Sequence, residues 1–251
     1  MHLSVIIPAL NEYQYISNTV YAVRHNAVFG GPHEIIVVDS GSRDGTPEIA
    51  KRLGVKLIEI KPEIAGRFHA LNKGASIATG DVLLFLDADT ILPEGYDAEI
   101  KSALGDQDIV GGAFEFALDG KGFSLRVVEL INRLRYRISH QFYGDQGIFV
   151  RATLFHRLGG YPKKGILEAS DFCASLMRMG RLVLIRREVK TSPRRFLEGG
   201  VYRVLAGDIK IWWLDLMGKP LDHFANVYWK KNMYRDKKCL TGRESSNVAN
   251  N

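Results

Sequence analysis

The sequence has only two cysteines, Cys173 and Cys239, far apart and with no CxxC between them. That excludes a disulfide framework and a cysteine-held zinc site, and makes a reducing, cytoplasmic setting the default. No apolar run approaches the roughly 20 residues that span a bilayer. The opening stretch Met1-His2-Leu3-Ser4-Val5-Ile6-Ile7-Pro8 lacks a basic segment and a small-residue cleavage site. It reads as a first strand rather than a signal peptide. Internal repeats and low-complexity linkers are also missing. What remains is 251 residues, 46% hydrophobic and 25% charged, enough for a packed core and unlike a disordered chain.

The net charge of +6 conceals a segregation. Residues 1–120 hold 9 Lys and Arg against 17 Asp and Glu, and residues 121–251 hold 25 against 11. The acidic half can supply metal-binding carboxylates. The basic half can face phosphates, an anionic membrane or nucleic acid. No nucleic-acid motif accompanies it, so nucleic acid is not an expected partner.

The first half alternates between two periods. Apolar, β-branched runs at Leu3–Ile7, Glu34–Asp39, Val55–Ile60 and Asp81–Asp87 predict buried strands. Mixed segments at about 12–27, Thr46–Leu53 and Ala65–Ala78 predict helices between them. That alternation implies an α/β fold with a mainly parallel, Rossmann-like sheet covered by helices on both faces. Past residue 109 the rhythm loosens. A longer strand is expected at Ile109–Leu118, an arginine-rich helix at Phe123–Ser139 and a short strand at Gly147–Val150. A helix is expected at Asp171–Met179, a strand at Leu182–Ile185, and two tail helices on either side of Gly218-Lys219-Pro220. One domain over 1–200 with a C-terminal helical extension over 201–251, frayed at its end, is the economical reading.

In open α/β sheets, ligands bind beyond the carboxyl ends of the strands. Here those ends read Pro8-Ala9-Leu10-Asn11-Glu12, Asp39-Ser40-Gly41-Ser42-Arg43-Asp44-Gly45-Thr46 and Asp87-Ala88-Asp89-Thr90. Glu12, Asp39, Asp87 and Asp89 should therefore converge on one rim. Like charges gathered this way need a cation or hydrogen-bond donors among them. Hard carboxylate oxygens suit Mg²⁺ or Mn²⁺, and Asp87-Ala88-Asp89 is the sharpest such signal. Strand alternation would point Asp87 and Asp89 to the same side. Asp39 is placed to read a base or ribose edge, while Asp44 or Thr46 caps the next helix. Gly66, Arg67 and Lys73 bring cations near a helix start, where a phosphate would be stabilised.

Three segments, Leu3–Glu12, Ile36–Thr46 and Leu84–Thr90, together resemble family 2 glycosyltransferases of the GT-A fold. The resemblance covers roughly residues 3–200. Gly144-Asp-Gln-Gly-Ile-Phe149 and Thr191-Ser-Pro-Arg-Arg195 further resemble a small bacterial subgroup of that family. The resemblance implies a nucleotide-diphospho-sugar donor. Pro8, Ala9, Leu10, Glu12 and Asp39 would hold its nucleoside, Asp87 and Ala88 would approach the ribose, and Asp89 would hold the metal. Arg194-Arg195 is similar to a diphosphate-contacting motif, with Arg195 the expected contact. Asp145 and Gln146 would touch the acceptor or the donor sugar. Members usually invert at the anomeric carbon, with a base from an acidic motif heading a late helix. The matching stretch is Gly165-Ile-Leu-Glu168-Ala-Ser-Asp171-Phe. The adjacent acid pair is absent, so Glu168 is the first candidate base and Asp171 the second.

That altered motif keeps a non-catalytic sugar-nucleotide-binding protein in view. A haloacid-dehalogenase-type phosphatase is similar at Leu83–Thr90 only. Three strand–helix units precede that strand here, and no acid pair follows it. A sugar nucleotidyltransferase would need a Gly-rich basic loop that is missing. In the tail, Ile209–Met217 and Phe224–Lys231 set aromatics beside cations. Packing on the domain is the expected role. A peripheral contact with anionic membrane at the inner face, a lipid-linked acceptor and a homodimer contact all stay open.

Overall fold

The structure is a computed structural model that describes residues 1–61, 67–139, 141–221 and 224. Its first half is a parallel sheet of β1 (Leu3–Ala9), β2 (Glu34–Asp39), β3 (Lys56–Glu59) and β4 (Val82–Phe85). The crossovers are α1 (Ile16–His25), α2 (Thr46–Arg52) and α3 (Phe68–Ala75). After the two-residue strand β5 (Thr90–Ile91) come α4 (Tyr96–Ala103), β6 (Ile109–Leu118) and α5 (Phe123–Ser139). A single 3₁₀ turn, Gly144–Gln146, leads into β7 (Ile148–Arg151) and α6 (Ala152–Arg157). The chain continues through α7 (Glu168–Leu176), β8 (Arg181–Thr191), α8 (Arg194–Gly199) and α9 (Val201–Leu216).

All eight strands form one sheet in the order β3-β2-β1-β4-β7-β6-β8-β5. The parallel expectation holds for β3-β2-β1-β4 and for β6-β8. It needs correction at β7, which runs antiparallel to both β4 and β6, and at β5, antiparallel to β8. This reversal sets the amino end of β7 on the same rim as the carboxyl ends of β1, β2 and β4. The turn Gly144–Gln146 thereby reaches the acid loops.

Alternation along the strands splits the core. Val5, Ile7, Leu84 and Leu86 pack on one face with Ile16, Val20 and Val23 of α1. Ile6, Leu83 and Phe85 pack on the other with Leu71 of α3 and Phe172 of α7. The α1 residues recur at helical spacing, so one stripe is buried and the rest meets water. Gly74 lets α3 lie close, since a Cβ there would fall 2.5 Å from a methyl of Ile6. A third cluster joins Leu118, Leu125, Val128, Phe196 and Leu205 beneath α5, α8 and α9. The first tail helix therefore packs on the domain. The second, apart from residue 224, lies outside the described residues. Among the described residues no helix is long and apolar enough to cross a membrane.

Candidate active site

The loops after β1 and β2 brace each other through their backbones. The Asn11 amide donates to the Ser42 hydroxyl at 2.8 Å, and the Arg43 amide donates to Asn11 Oδ1 at 2.8 Å. The Glu12 amide donates to Thr46 Oγ1 at 2.8 Å, and the Tyr13 amide donates to Asp44 at 2.9 Å. Asn11 adopts a left-handed backbone with φ 56°, which an asparagine tolerates better than most residues. Pro8 and Ala9 close β1, and Leu10 leads into this junction. Asp39, the last residue of β2, accepts the Ser42 amide at 2.9 Å and is buried. Burial raises its pKa, with the Ser42 hydrogen bonds opposing. Asp44 accepts the Thr46 amide at 3.0 Å, but the N-cap of α2 is the left-handed Gly45 with no side-chain cap, so neither Asp44 nor Thr46 caps the helix as expected.

The Asp87-Ala88-Asp89 turn is anchored from below by the Thr19 hydroxyl, which donates to the Ala88 carbonyl at 2.7 Å. Regular pairing of β4 ends at Phe85, so strand alternation does not orient the two aspartates, contrary to expectation. They answer to different cations. Asp87 faces Arg67, with Nη2 at 2.6 Å and Nη1 at 3.1 Å. Asp89 Oδ2 faces Arg194 Nη2 at 3.1 Å, and the same nitrogen lies 2.6 Å from Glu12 Oε1. Thr191 donates to the other Asp89 oxygen at 3.4 Å. Three widely separated stretches, after β1, after β4 and after β8, thus meet at one guanidinium.

Arg67 precedes α3, and its Nε also lies 3.3 Å from Glu168 Oε1. One cation therefore serves an acid of the DxD turn and the first candidate base. Gly144 makes room for it, since a Cβ there would run into the guanidinium. Burial works against the Arg67 charge, yet Asp87 and Glu168 outweigh it and raise its pKa. Burial pushes the Asp87 carboxyl up to about 7, with Arg67 opposing. Glu168 is raised for the same reason and opposed by the same cation. Glu12 is pushed up to about 7 by burial, against the pull of Arg194. Each acid is costly to ionise in place, and each is held by an arginine or backbone donors.

The remaining expected residues separate. Glu168 heads α7 and is 4% exposed. Asp171, three residues on, lies at the surface, where Lys164 Nζ sits 2.9 Å away and also reaches Asp215 of α9 at 2.8 Å. Asp145 stands in the 3₁₀ turn, its pKa raised by burial and lowered by Arg135, Arg195 and Arg67. Gln146 is occupied with the backbone: its Oε1 accepts the Tyr143 amide at 3.0 Å, and its Nε2 donates to the Phe114 carbonyl at 3.2 Å. Arg195 forms a two-pronged pair with Asp208 of α9 at 2.9 and 2.5 Å. Its neighbour Arg194 is the one on Glu12 and Asp89. Lys73 is exposed in the last turn of α3 rather than near its start, because the helix begins only at Phe68. Gly66 lies outside the described residues. Lys164 and Arg135 carry no site signal in the sequence, and Arg194 is legible only as half of the Arg194-Arg195 pair, in which Arg195 is the expected contact.

A divalent cation fits this rim. Glu12 Oε2 is buried with no hydrogen-bond partner, and a guanidinium already occupies the cation position between Glu12 and Asp89. Among the described residues no group of three or more His, Cys, Asp or Glu could hold a metal by itself. Mg²⁺-type sites need only one or two carboxylates when substrate phosphates complete the shell.

An open sheet with acid-bearing strand ends, one inserted antiparallel strand and helices on both faces defines a GT-A-type α/β fold. The chain belongs to glycosyl transferase family 2, whose model matches residues 4–158, and is a transferase of that class. It is similar to glycosyltransferase AglE of Haloferax volcanii, 27% identical, with 85% of this chain and 75% of that protein covered. It is 32% identical to a PGL/p-HBAD biosynthesis glycosyltransferase of Mycobacterium bovis over 63% of this chain, and spans 62% of that protein's length. The fold matches Mycobacterium tuberculosis glucosyl-3-phosphoglycerate synthase, solved with Mn²⁺ and UDP-glucose. The TM-score is 0.61 at 22% identity, over 87% of this chain and 80% of that one.

Proposed function

We propose that the protein transfers a sugar from a nucleotide-diphospho-sugar to an acceptor hydroxyl, with inversion at the anomeric carbon. The observation that carries this is the gathering of Glu12, Asp87, Asp89 and Glu168 around Arg67 and Arg194. The loops after β1 and β2, with Asp39, hold the nucleoside, and Asp87 approaches the ribose. Asp89, with Glu12 behind it, would hold Mg²⁺ or Mn²⁺. When bound, the ion neutralises charge on the departing diphosphate. Arg194, which reaches Glu12 and Asp89, would add its own positive charge toward the same oxygens. On the acceptor side Glu168 accepts the hydroxyl proton as the oxygen attacks the anomeric carbon. The C–O bond to diphosphate breaks, and the electron pair leaves with the nucleotide. Glu168 is favoured over Asp171 because it is buried and shares Arg67 with Asp87, whereas Asp171 is engaged at the surface by Lys164. Asp145 lies beside the acceptor. The Gly144–Phe149 and Thr191–Arg195 segments support membership of the small bacterial subgroup.

The test is a thermal-shift panel of UDP-, GDP- and dTDP-sugars with and without Mn²⁺, on the native chain and on Asp89→Ala. One donor class should stabilise the native protein by about 2.7 kcal/mol at a hundredfold excess over Kd, roughly 5 °C or more. Asp89→Ala should lose the Mn²⁺-dependent part. A flat response across the panel overturns the donor assignment. Donor binding with neither transfer nor hydrolysis would make the protein a sugar-nucleotide binder instead.

A further inference from the structure

Every exposed residue of α5 is either large and apolar or an arginine. The apolar set is Phe123, Leu130, Leu134 and Ile138, with exposures of 81%, 56%, 48% and 66%. Their spacing of seven, four and four residues places them in one row along the helix. The cationic set, Arg126, Arg133 and Arg137, forms a second row along one side of the first. Arg126 is paired with Glu129, and Arg133 with Glu115 and Glu188 at 2.7 Å each, whereas Arg137 has no ion pair among the described residues. The opposite face of α5 is already satisfied, because Leu125 and Val128 are buried against Leu118, Phe196 and Leu205. The single acid of the helix, Glu129, is buried beneath, pairing with Arg126 at 2.7 Å and accepting the Leu118 amide at 2.7 Å. The helix is therefore apolar on two faces, and only one of them packs on protein among the described residues.

We infer that the outer face of α5 seats the protein on an anionic phospholipid surface. The apolar row enters the boundary of the acyl chains while the arginines stay at the phosphates on their long stems. Charge complementarity selects this occupant over a second copy of the chain. A two-fold contact presents the same patch from both sides. It would gather both arginine rows, while the acids beside them, Glu115, Glu129 and Glu188, are already paired with arginines of their own copy. The placement also bears on the acceptor. Arg135, on a different flank of α5, stands 3.5 Å over the ring of Tyr143, which begins the turn carrying Asp145. A bilayer under α5 would border the acceptor side of the rim, so the acceptor class is a lipid-anchored molecule presenting a hydroxyl. This corollary rests on the transfer reading, and the docking itself does not.

The experiment is co-sedimentation of the full chain with phosphatidylcholine vesicles, with and without phosphatidylglycerol. Binding should require phosphatidylglycerol and weaken as salt rises. The double variant Leu134→Glu, Ile138→Glu should bind at least about tenfold more weakly, as expected for removing two inserted side chains. Arg133→Gln, Arg137→Gln should lose the phosphatidylglycerol dependence. Both variants should keep the native thermal shift with nucleotide-sugar and Mn²⁺, which shows that they fold. No binding to either vesicle by the native chain overturns the inference. So does undiminished binding by both variants, or a native dimer that the apolar substitutions split into monomers. Vesicle binding without any donor response would leave the docking in place and remove the transfer reading instead.

Discussion

Replacing Arg67 with alanine will leave two acids without their shared cation. Glu168 suffers most, since its side chain is only 5% exposed, while Asp87 at 25% can draw on water. Removing one partner of a buried charge cluster costs about 3–5 kcal/mol, and the part-exposed aspartate places this case near the lower figure. That is a large share of the roughly 5–15 kcal/mol that holds a domain folded. The loss must depend on pH. Burial already holds both carboxyls above their ordinary range, and without Arg67 they rise further. An acid whose folded pKa exceeds its unfolded one destabilises only when ionised, so the deficit grows as pH rises and shrinks as both groups take up protons. Urea unfolding at about pH 8 and about pH 5.5 reads this directly, with the larger deficit at the higher value. Adding Glu168→Gln to the alanine variant removes one stranded charge and should restore about 1–2 kcal/mol. A loss below about 1 kcal/mol, or equal losses at both pH values, would refute the view that one guanidinium holds these acids.

Glu12→Gln should flatten the stability profile between about 4.5 and about 7, where the native carboxyl passes from protonated to ionised at rising cost. The native chain should lose up to about 3 kcal/mol across that window in urea unfolding, each tenfold change in proton affinity being worth about 1.36 kcal/mol. Gly144→Ala should force Arg67 off Asp87 and lower stability by about 1–3 kcal/mol, and an unchanged melting temperature would dismiss the contact. Arg194→Ala should tighten binding of Mn²⁺ alone in calorimetric titration, because the competing cation between Glu12 and Asp89 is gone. Equal affinity in both proteins would show that Arg194 and the ion do not share that place.

The sequence carried most of the elements whose signal is local. β2, β6 and α5 have the expected bounds, because each is a long run of one period. The direction of β7 was not legible, since only pairing with β4 and β6 decides it. The two residues of β5 and the short helix α8 offer too little length for any period to show. The helix expected from Asp171 begins instead at Glu168, because Leu167 takes a left-handed backbone with φ 60°, rare for a leucine and set by its tertiary surroundings. At the site the acids were legible, because topology alone brings strand ends together. Their partners were not. Ser192-Pro193 starts α8 so that Arg194 turns to the rim and Arg195 to Asp208, a difference of one residue that composition cannot resolve.

The pair between Glu12 and Arg194 joins positions 182 residues apart. Chain entropy must be given up across that interval before the contact contributes anything, which places it among the slowest to form. The acid loop after the first strand therefore waits, carrying unbalanced charge, until the eighth strand has docked and delivered its arginine. During synthesis the half that carries the acid loops emerges early, yet its rim stays unfinished until residue 194 has left the ribosome. Closure of this rim is thus a late event in the life of each molecule, and a clock for its completed folding.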